Sequence, residues 1–131
     1  MRFLIDTHLL LWALTTPARL GPSLRDRSED PANIVLLSAA SLWEIAIKAQ
    51  IRRSGLTARP DQVAQEAIAR GLTEMPVRWM AAAAVTDLPL RHRDPFDRML
   101  VAQAVTEPVH LLTADRTLLG YSDMVTLADV R

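Results

Sequence analysis

Short apolar runs ending at a polar side chain alternate along this chain with longer stretches whose apolar positions recur every three or four residues. Residues 2–5 form one such run and end at Asp6; residues 33–37 end at Ser38; residues 109–113 lead to Asp115. Unbroken apolar runs of this length predict strands buried on both faces. Two more short strands are expected at 72–75, before Pro76, and at 124–127. Between them the periodicity predicts a helix over 7–14, punctuated by Pro17, Gly21 and Pro22, and a short polar helix over 23–29 closed by Pro31. A capping-box spacing from Ser41 to Glu44 predicts a helix running to about Arg52, with Gly55 ending the unit. An amphipathic helix over 61–70 should stop at Gly71, and 78–86 should form a helix with small side chains from Ala81 to Ala84. Strands alternating with helices predict an α/β fold with a central parallel sheet covered on both faces. No linker divides the chain, so a single domain over 1–131 is expected.

One stretch, HRDPFDRMLVAQA from His92 to Ala104, breaks the separation of apolar from charged positions. Asp94 suits a helix N-cap and Pro95 the first helical position. Wound as a helix, Asp97 falls on the same stripe as Leu100, Val101 and Ala104. A carboxylate at the head of a buried stripe needs a positive partner or hydrogen-bond donors. Completing the first turn and complementing the helix dipole is the simpler account of Asp97.

Asp6 and Asp115 stand just past the C-terminal ends of two predicted strands, the edge at which open α/β sheets bind ligands. Either could instead be a helix cap or a turn residue. Glu44 opens a helix that follows a strand, so it faces the same edge. It could also do no more than complete its capping box and pair with Lys48 at i,i+4, a gain of about 0.2–0.5 kcal/mol. Lys48, one turn further along, could balance charge or touch phosphate. Four carboxylates at one edge repel one another, and a divalent cation relieves that repulsion. An oxygen donor set without cysteine selects Mg²⁺ or Mn²⁺ over zinc, and magnesium with few protein ligands favours phosphate partners and phosphodiester hydrolysis.

Composition adds mostly exclusions. Half of the 131 residues are apolar and 23% are charged, ordinary for a globular protein. The formal net charge is zero, so no global field draws nucleic acid. Fourteen of the fifteen basic residues are arginine, and Lys48 is the one lysine. Arginine suits phosphate through its planar fork of donors, although a codon preference explains the bias as well. There is no cysteine, and no apolar run approaches membrane-spanning length. The first residues meet Asp6 too soon to read as a signal peptide, and a cytoplasmic location is the expectation.

The segments FLIDTHLLLWAL, SAASLWEIAIK, HRDPFDRMLVAQA and LLTADRTL, in that order, resemble the PIN-domain ribonucleases, most closely the VapC-like toxins of type II toxin–antitoxin pairs. The resemblance spans essentially the whole chain. It implies a Rossmann-like three-layer α/β/α sandwich and a Mg²⁺- or Mn²⁺-dependent endoribonuclease that inhibits growth when free. It places the family's acids on Asp6, Glu44, Asp97 and Asp115. Asp6, Asp97 and Asp115 would hold one or two cations, with Glu44 acting directly or through water. Asp94 would remain a cap with metal contact conceivable, and Thr7 and Thr113 could orient a ligand or its water. Arg93, Arg98 and Arg116 are candidate phosphate contacts or solvated surface arginines. His8 and His92 are candidate bases or hydrogen-bonded structural residues. Trp12, Trp43 and Trp79 could stack on bases or pack in the core or an interface. The resemblance also implies an RNA substrate, a VapB-like antitoxin and a homodimer, to which an exposed apolar helix over 9–14 could contribute. Two other readings stay open: a non-catalytic RNA- or protein-binding module, and a phosphohydrolase with Asp6 as nucleophile.

Overall fold

The computed structural model describes residues 1–51, 58–91 and 93–130. Its centre is a five-stranded sheet, every pair parallel, built from β1 (Arg2–Ile5), β2 (Ile34–Ser38), β3 (Thr73–Met75), β4 (His110–Thr113) and β5 (Val125–Leu127). Spatial order is β3-β2-β1-β4-β5. The chain builds outward from β1 on one side, then returns to the other side of β1 for β4. In register, Leu4 lies beside Leu36 on one neighbour and Leu111 on the other.

Side chains alternate between two cores, as the two-residue strand period requires. Phe3, Ile5, Leu37 and Leu112 point to the face covered by α1 (Thr7–Thr15), α2 (Pro22–Glu29) and α4 (Pro60–Ala69). Leu4, Leu36, Leu111 and Val125 point to the opposite face, where α6 (Pro95–Thr106) lays down Leu100, Val101 and Ala104. The helix α5 (Trp79–Ala84) packs on α6, and α3 (Ala39–Gln50) touches helices of both layers. The result is the expected α/β/α sandwich with a parallel sheet.

Local details depart from the sequence pattern in two places. The N-cap of α3 is Ser38, whose hydroxyl accepts from the Ala40 N–H at 3.0 Å; Ser41 lies inside the helix. Ser38 ends β2 fully buried, so the chain turns directly from strand to helix, and the earlier hydroxyl captures the orphan N–H. The expected apolar surface over 9–14 is also absent. Leu9 and Leu10 are fully buried, and Leu11, Trp12 and Leu14 pack against the same core. Exposed apolar side chains lie elsewhere, at Trp79, Met80 and Leu90. The expected helix end near Arg52, the stop at Gly55, and His92 lie outside the described residues.

Candidate metal-dependent active site

A reversal of strand order opens a crevice at the C-terminal ends of the strands. Here the reversal falls between β1 and β4, and the first residues past those strands are Asp6 and the Ala114–Asp115 pair. Asp6 extends the ladder through its N–H to the Leu112 carbonyl at 3.0 Å, then turns the chain into α1. Its Oδ1 caps that helix by accepting from the Leu9 N–H at 2.8 Å. Its Oδ2 accepts from the Thr113 hydroxyl at 2.7 Å and the Ala114 N–H at 3.0 Å. Thr113 in turn accepts from the Asp115 N–H at 3.0 Å, so one buried hydroxyl ties the two acidic corners together. Asp115 Oδ1 accepts from the backbone and hydroxyl of Thr117, which starts the short 3₁₀ turn Arg116–Leu118.

Glu44 reaches the same edge from the second turn of α3 and is 3% exposed. The Thr7 hydroxyl lies 2.7 Å from Glu44 Oε1 and 2.9 Å from Ser41 Oγ. A carboxylate only accepts, so it takes the single Thr7 hydrogen and Ser41 becomes the donor to Thr7. Glu44 Oε2 accepts from the Lys48 ammonium. The i,i+4 pair is therefore present, but the capping box is not: neither Glu44 oxygen turns back to the helix start. The Lys48 amine is held above its ordinary value of 10.5, first by this hydrogen bond and further by the charges of Glu44, Asp94 and Asp97, with burial opposing. The Lys48 side of the pair thus stays charged through neutral pH, and its contribution is lost as pH rises past that raised value.

Helix α6 ends just before β4, so its first turn lies at the same edge as the strand ends. Asp94 Oδ1 caps it, accepting from the N–H groups of Phe96 at 2.9 Å and Asp97 at 3.2 Å. Asp97 is half-buried above the fully buried Leu100, Val101 and Ala104. Phe96 meets Trp43 edge-on at 5.3 Å, which fastens the start of α6 to α3 beside Glu44. Asp94→Ala should remove a cap worth about 1 kcal/mol and lower the melting temperature by a few degrees. A thermal melt checks the cost, and an unchanged Mn²⁺ affinity would confine Asp94 to capping.

The four acids thus share one edge in two linked groups, Asp6 with Asp115 and Glu44 with the Asp97 corner. Among the described residues, no three carboxylate or imidazole groups close into a ready cation cage. The donor chemistry nonetheless fits a hard divalent cation. Asp6 receives three donors on two oxygens, leaving accepting capacity, and every candidate ligand is oxygen. Magnesium retains several waters and takes as few as one or two carboxylates, so it requires no closed cage.

Other expected contacts fall differently. Arg98 turns inward, 7% exposed, and donates to the carbonyls of Pro89 at 2.7 Å, Val85 at 3.1 Å and Leu88 at 3.4 Å, and to Tyr121 Oη at 3.2 Å. It is a brace, neither a phosphate contact nor a solvated arginine. Arg93 and Arg116 are exposed. Arg116 lines an open cavity of about 420 Å³ with Arg27, Ser23 and Ala114. His8 is exposed with its ring 5.9 Å from Trp12, and the Arg19 guanidinium lies 4.0 Å over that indole. Trp43 and Trp79 are 62% and 78% exposed, so neither is a core residue. The bridging of Thr7, Ser41 and Glu44 was hidden behind the capping-box reading of the same residues.

The PIN domain family pattern matches residues 3–122. No curated protein sequence gives a significant match. Among solved structures, a chain of VapBC2 from Rickettsia felis, bound to a DNA fragment from its promoter, superposes with a TM-score of 0.70 at 13% identity, covering 100% of both chains. A chain of DNA-bound VapBC from Salmonella typhimurium gives 0.69 at 18% identity over 98% of each. VapBC-1 from nontypeable Haemophilus influenzae gives 0.66 at 10% identity, covering 97% of this chain and 98% of that one. At these identities the three structures speak to the fold, and the fold agrees throughout its length. Because the family pattern covers all but the two ends of the chain, the chain belongs to the PIN-domain family.

Proposed function

We propose that this protein is a divalent-metal-dependent endoribonuclease acting as the toxin of a toxin–antitoxin pair. The observation that carries the reading is the pairing of Asp6 and Asp115 across the β1/β4 reversal through Thr113. Asp6, Asp97 and Asp115 would hold Mg²⁺ or Mn²⁺, directly or through water. When bound, such a cation lowers the pKa of an attacking water and stabilises charge on the phosphate. Asp6 is oriented for that task by its three donors, and Glu44 by Thr7 and Lys48. Arg27 and Arg116, on the cavity flanking Asp115, would receive phosphates of the bound RNA strand. Likeness to chains of VapBC structures supports a VapB-like antitoxin partner, and free toxin would inhibit translation and growth. The exposed Trp79, Met80 and Leu90 support a homodimer contact better than the buried α1 does. Among the described residues no helix is long and apolar enough to cross a membrane, which is compatible with cytoplasmic action. An Asp6 nucleophile is disfavoured, because Leu9, Thr113 and Ala114 all donate to its two oxygens.

The test is cleavage of end-labelled single-stranded and structured RNAs by antitoxin-free protein. Mg²⁺ or Mn²⁺ should support cleavage, chelation should stop it, and readdition should restore it. Asp97→Asn should lower the rate by more than the ~10–100-fold that loss of a merely supporting residue costs. No metal-dependent cleavage of any RNA would favour a binding module instead.

A further inference from the structure

Within that nuclease reading, we propose that Gln103 is a positioning residue whose buried hydrogen bonds set the height at which Asp97 stands beside Glu44. Gln103 sits among Leu100, Val101, Ala102 and Ala104 on α6, and all five are 0% exposed. An amide buried there is costly unless its polar atoms are bonded. Its partners fix which way it points. The Pro76 carbonyl can only accept, so the Gln103 nitrogen faces it, at 3.2 Å. The amide oxygen then faces Ser38 and accepts its hydroxyl hydrogen at 2.6 Å. The same hydroxyl accepts from the Ala40 N–H as the cap of α3. One side chain of α6 thus holds the ends of β2 and β3 together with the start of α3.

Two matched arms rise from this bond. Glu44 lies six residues beyond Ser38 along α3, and Asp97 lies six residues before Gln103 along α6. At 1.5 Å per helical residue each arm is about 9 Å long. The Trp43–Phe96 contact at 5.3 Å joins the residues that immediately precede the two acids. The two helices therefore run side by side, in opposite directions, from the buried bond to the site. Otherwise α6 meets the sheet through apolar side chains, and apolar contact is non-directional: it favours burial without fixing how far a helix slides along its axis. The Gln103 amide supplies the direction. A misplacement of about 1 Å at a reacting centre costs on the order of 10²-fold in rate, so a bond far from the acids reaches the chemistry through this register.

Cleavage of end-labelled RNA and Mn²⁺ binding by calorimetry, both on the purified full chain well below its melting temperature, test this. Gln103→Met keeps the length and burial of the side chain and removes both bonds. It should lower kcat by about 10–100-fold and weaken Mn²⁺ binding by a similar factor, with KM for RNA near wild type. Ser38→Gly, a replacement that N-cap positions tolerate, removes only the hydroxyl and should act in the same direction. The double variant should lose no more kcat than Gln103→Met alone, because both changes break the same bond. A lower melting temperature with kcat and Mn²⁺ affinity unchanged would make Gln103 a packing residue and overturn the proposal. Independent, multiplying losses from the two changes would overturn it as well. If Gln103→Met fails to fold, Ser38→Gly carries the same measurement: reduced kcat and Mn²⁺ affinity at retained KM support the proposal, and wild-type values overturn it. A wild-type chain that binds Mn²⁺ but cleaves no RNA removes the nuclease reading, and the Mn²⁺ affinities of the variants then decide for or against Gln103. A wild-type chain that binds no Mn²⁺ overturns both.

Discussion

Asp6→Asn should abolish RNA cleavage and also lower stability by about 1–3 kcal/mol, enough to move the melting temperature by several degrees. A simple view of clustered acids predicts the reverse, since removing a negative charge relieves repulsion. The hydrogen bonds decide the sign. Asp6 is 2% exposed, and each of its oxygens faces at least one N–H: Leu9 on one side, Ala114 on the other. An asparagine can offer its oxygen to only one side and must turn its NH₂ group toward a backbone N–H on the other. A buried donor then loses its acceptor, or the start of α1 loses its cap. Urea unfolding combined with the cleavage assay separates the two effects. Lost cleavage at unchanged stability would mean that repulsion among the acids outweighs the bonds described, and full cleavage would remove Asp6 from the site.

Arg98→Ala should have the largest effect on folding, a loss of about 3 kcal/mol or more. The guanidinium meets three backbone carbonyls over residues 85–89 together with Tyr121, and no ammonium has enough donors in one plane to replace it. Arg98→Lys should therefore recover only part of the loss. The segment it braces precedes the cap of α6, and Asp97 is the residue next to Arg98, so cleavage should fall alongside stability. Denaturant unfolding and cleavage rates measured well below the melting temperature test this. A variant as stable as wild type with weakened RNA binding would return Arg98 to the phosphate-contact role.

What the sequence revealed depended on how local the cause was. The ends of β1 and β4 and the start of α6 were legible because apolar runs, Asp94 and Pro95 act within a few residues. Asp97 was conspicuous for the same reason, a charge on a stripe that ends up fully buried below it. The strand order needed to bring Asp6 to Asp115 is set by pairing between distant segments, so only family resemblance could supply it. Arg98 was misjudged because its acceptors are backbone carbonyls, which every residue has and no residue type announces. Ser41 was misjudged because two serines competed for one cap, and the burial of Ser38 at the end of β2 decided between them. Glu44 and Lys48 could be paired from spacing alone, but the presence of Thr7 on the other carboxylate oxygen could not.

The bond between Thr113 and Asp6 joins residues 107 positions apart. A ribosome delivers Asp6 before β4, and the chain completes the β2 and β3 side of the sheet in between. Contacts of such long sequence separation are paid for late, after the intervening loop has closed. A growing chain therefore carries its first acid without the hydroxyl and the backbone N–H that aim it. Under the proposed ribonuclease reading, this ordering would act as a delay, because Asp6 gains the partners that aim it only after β4 has left the ribosome.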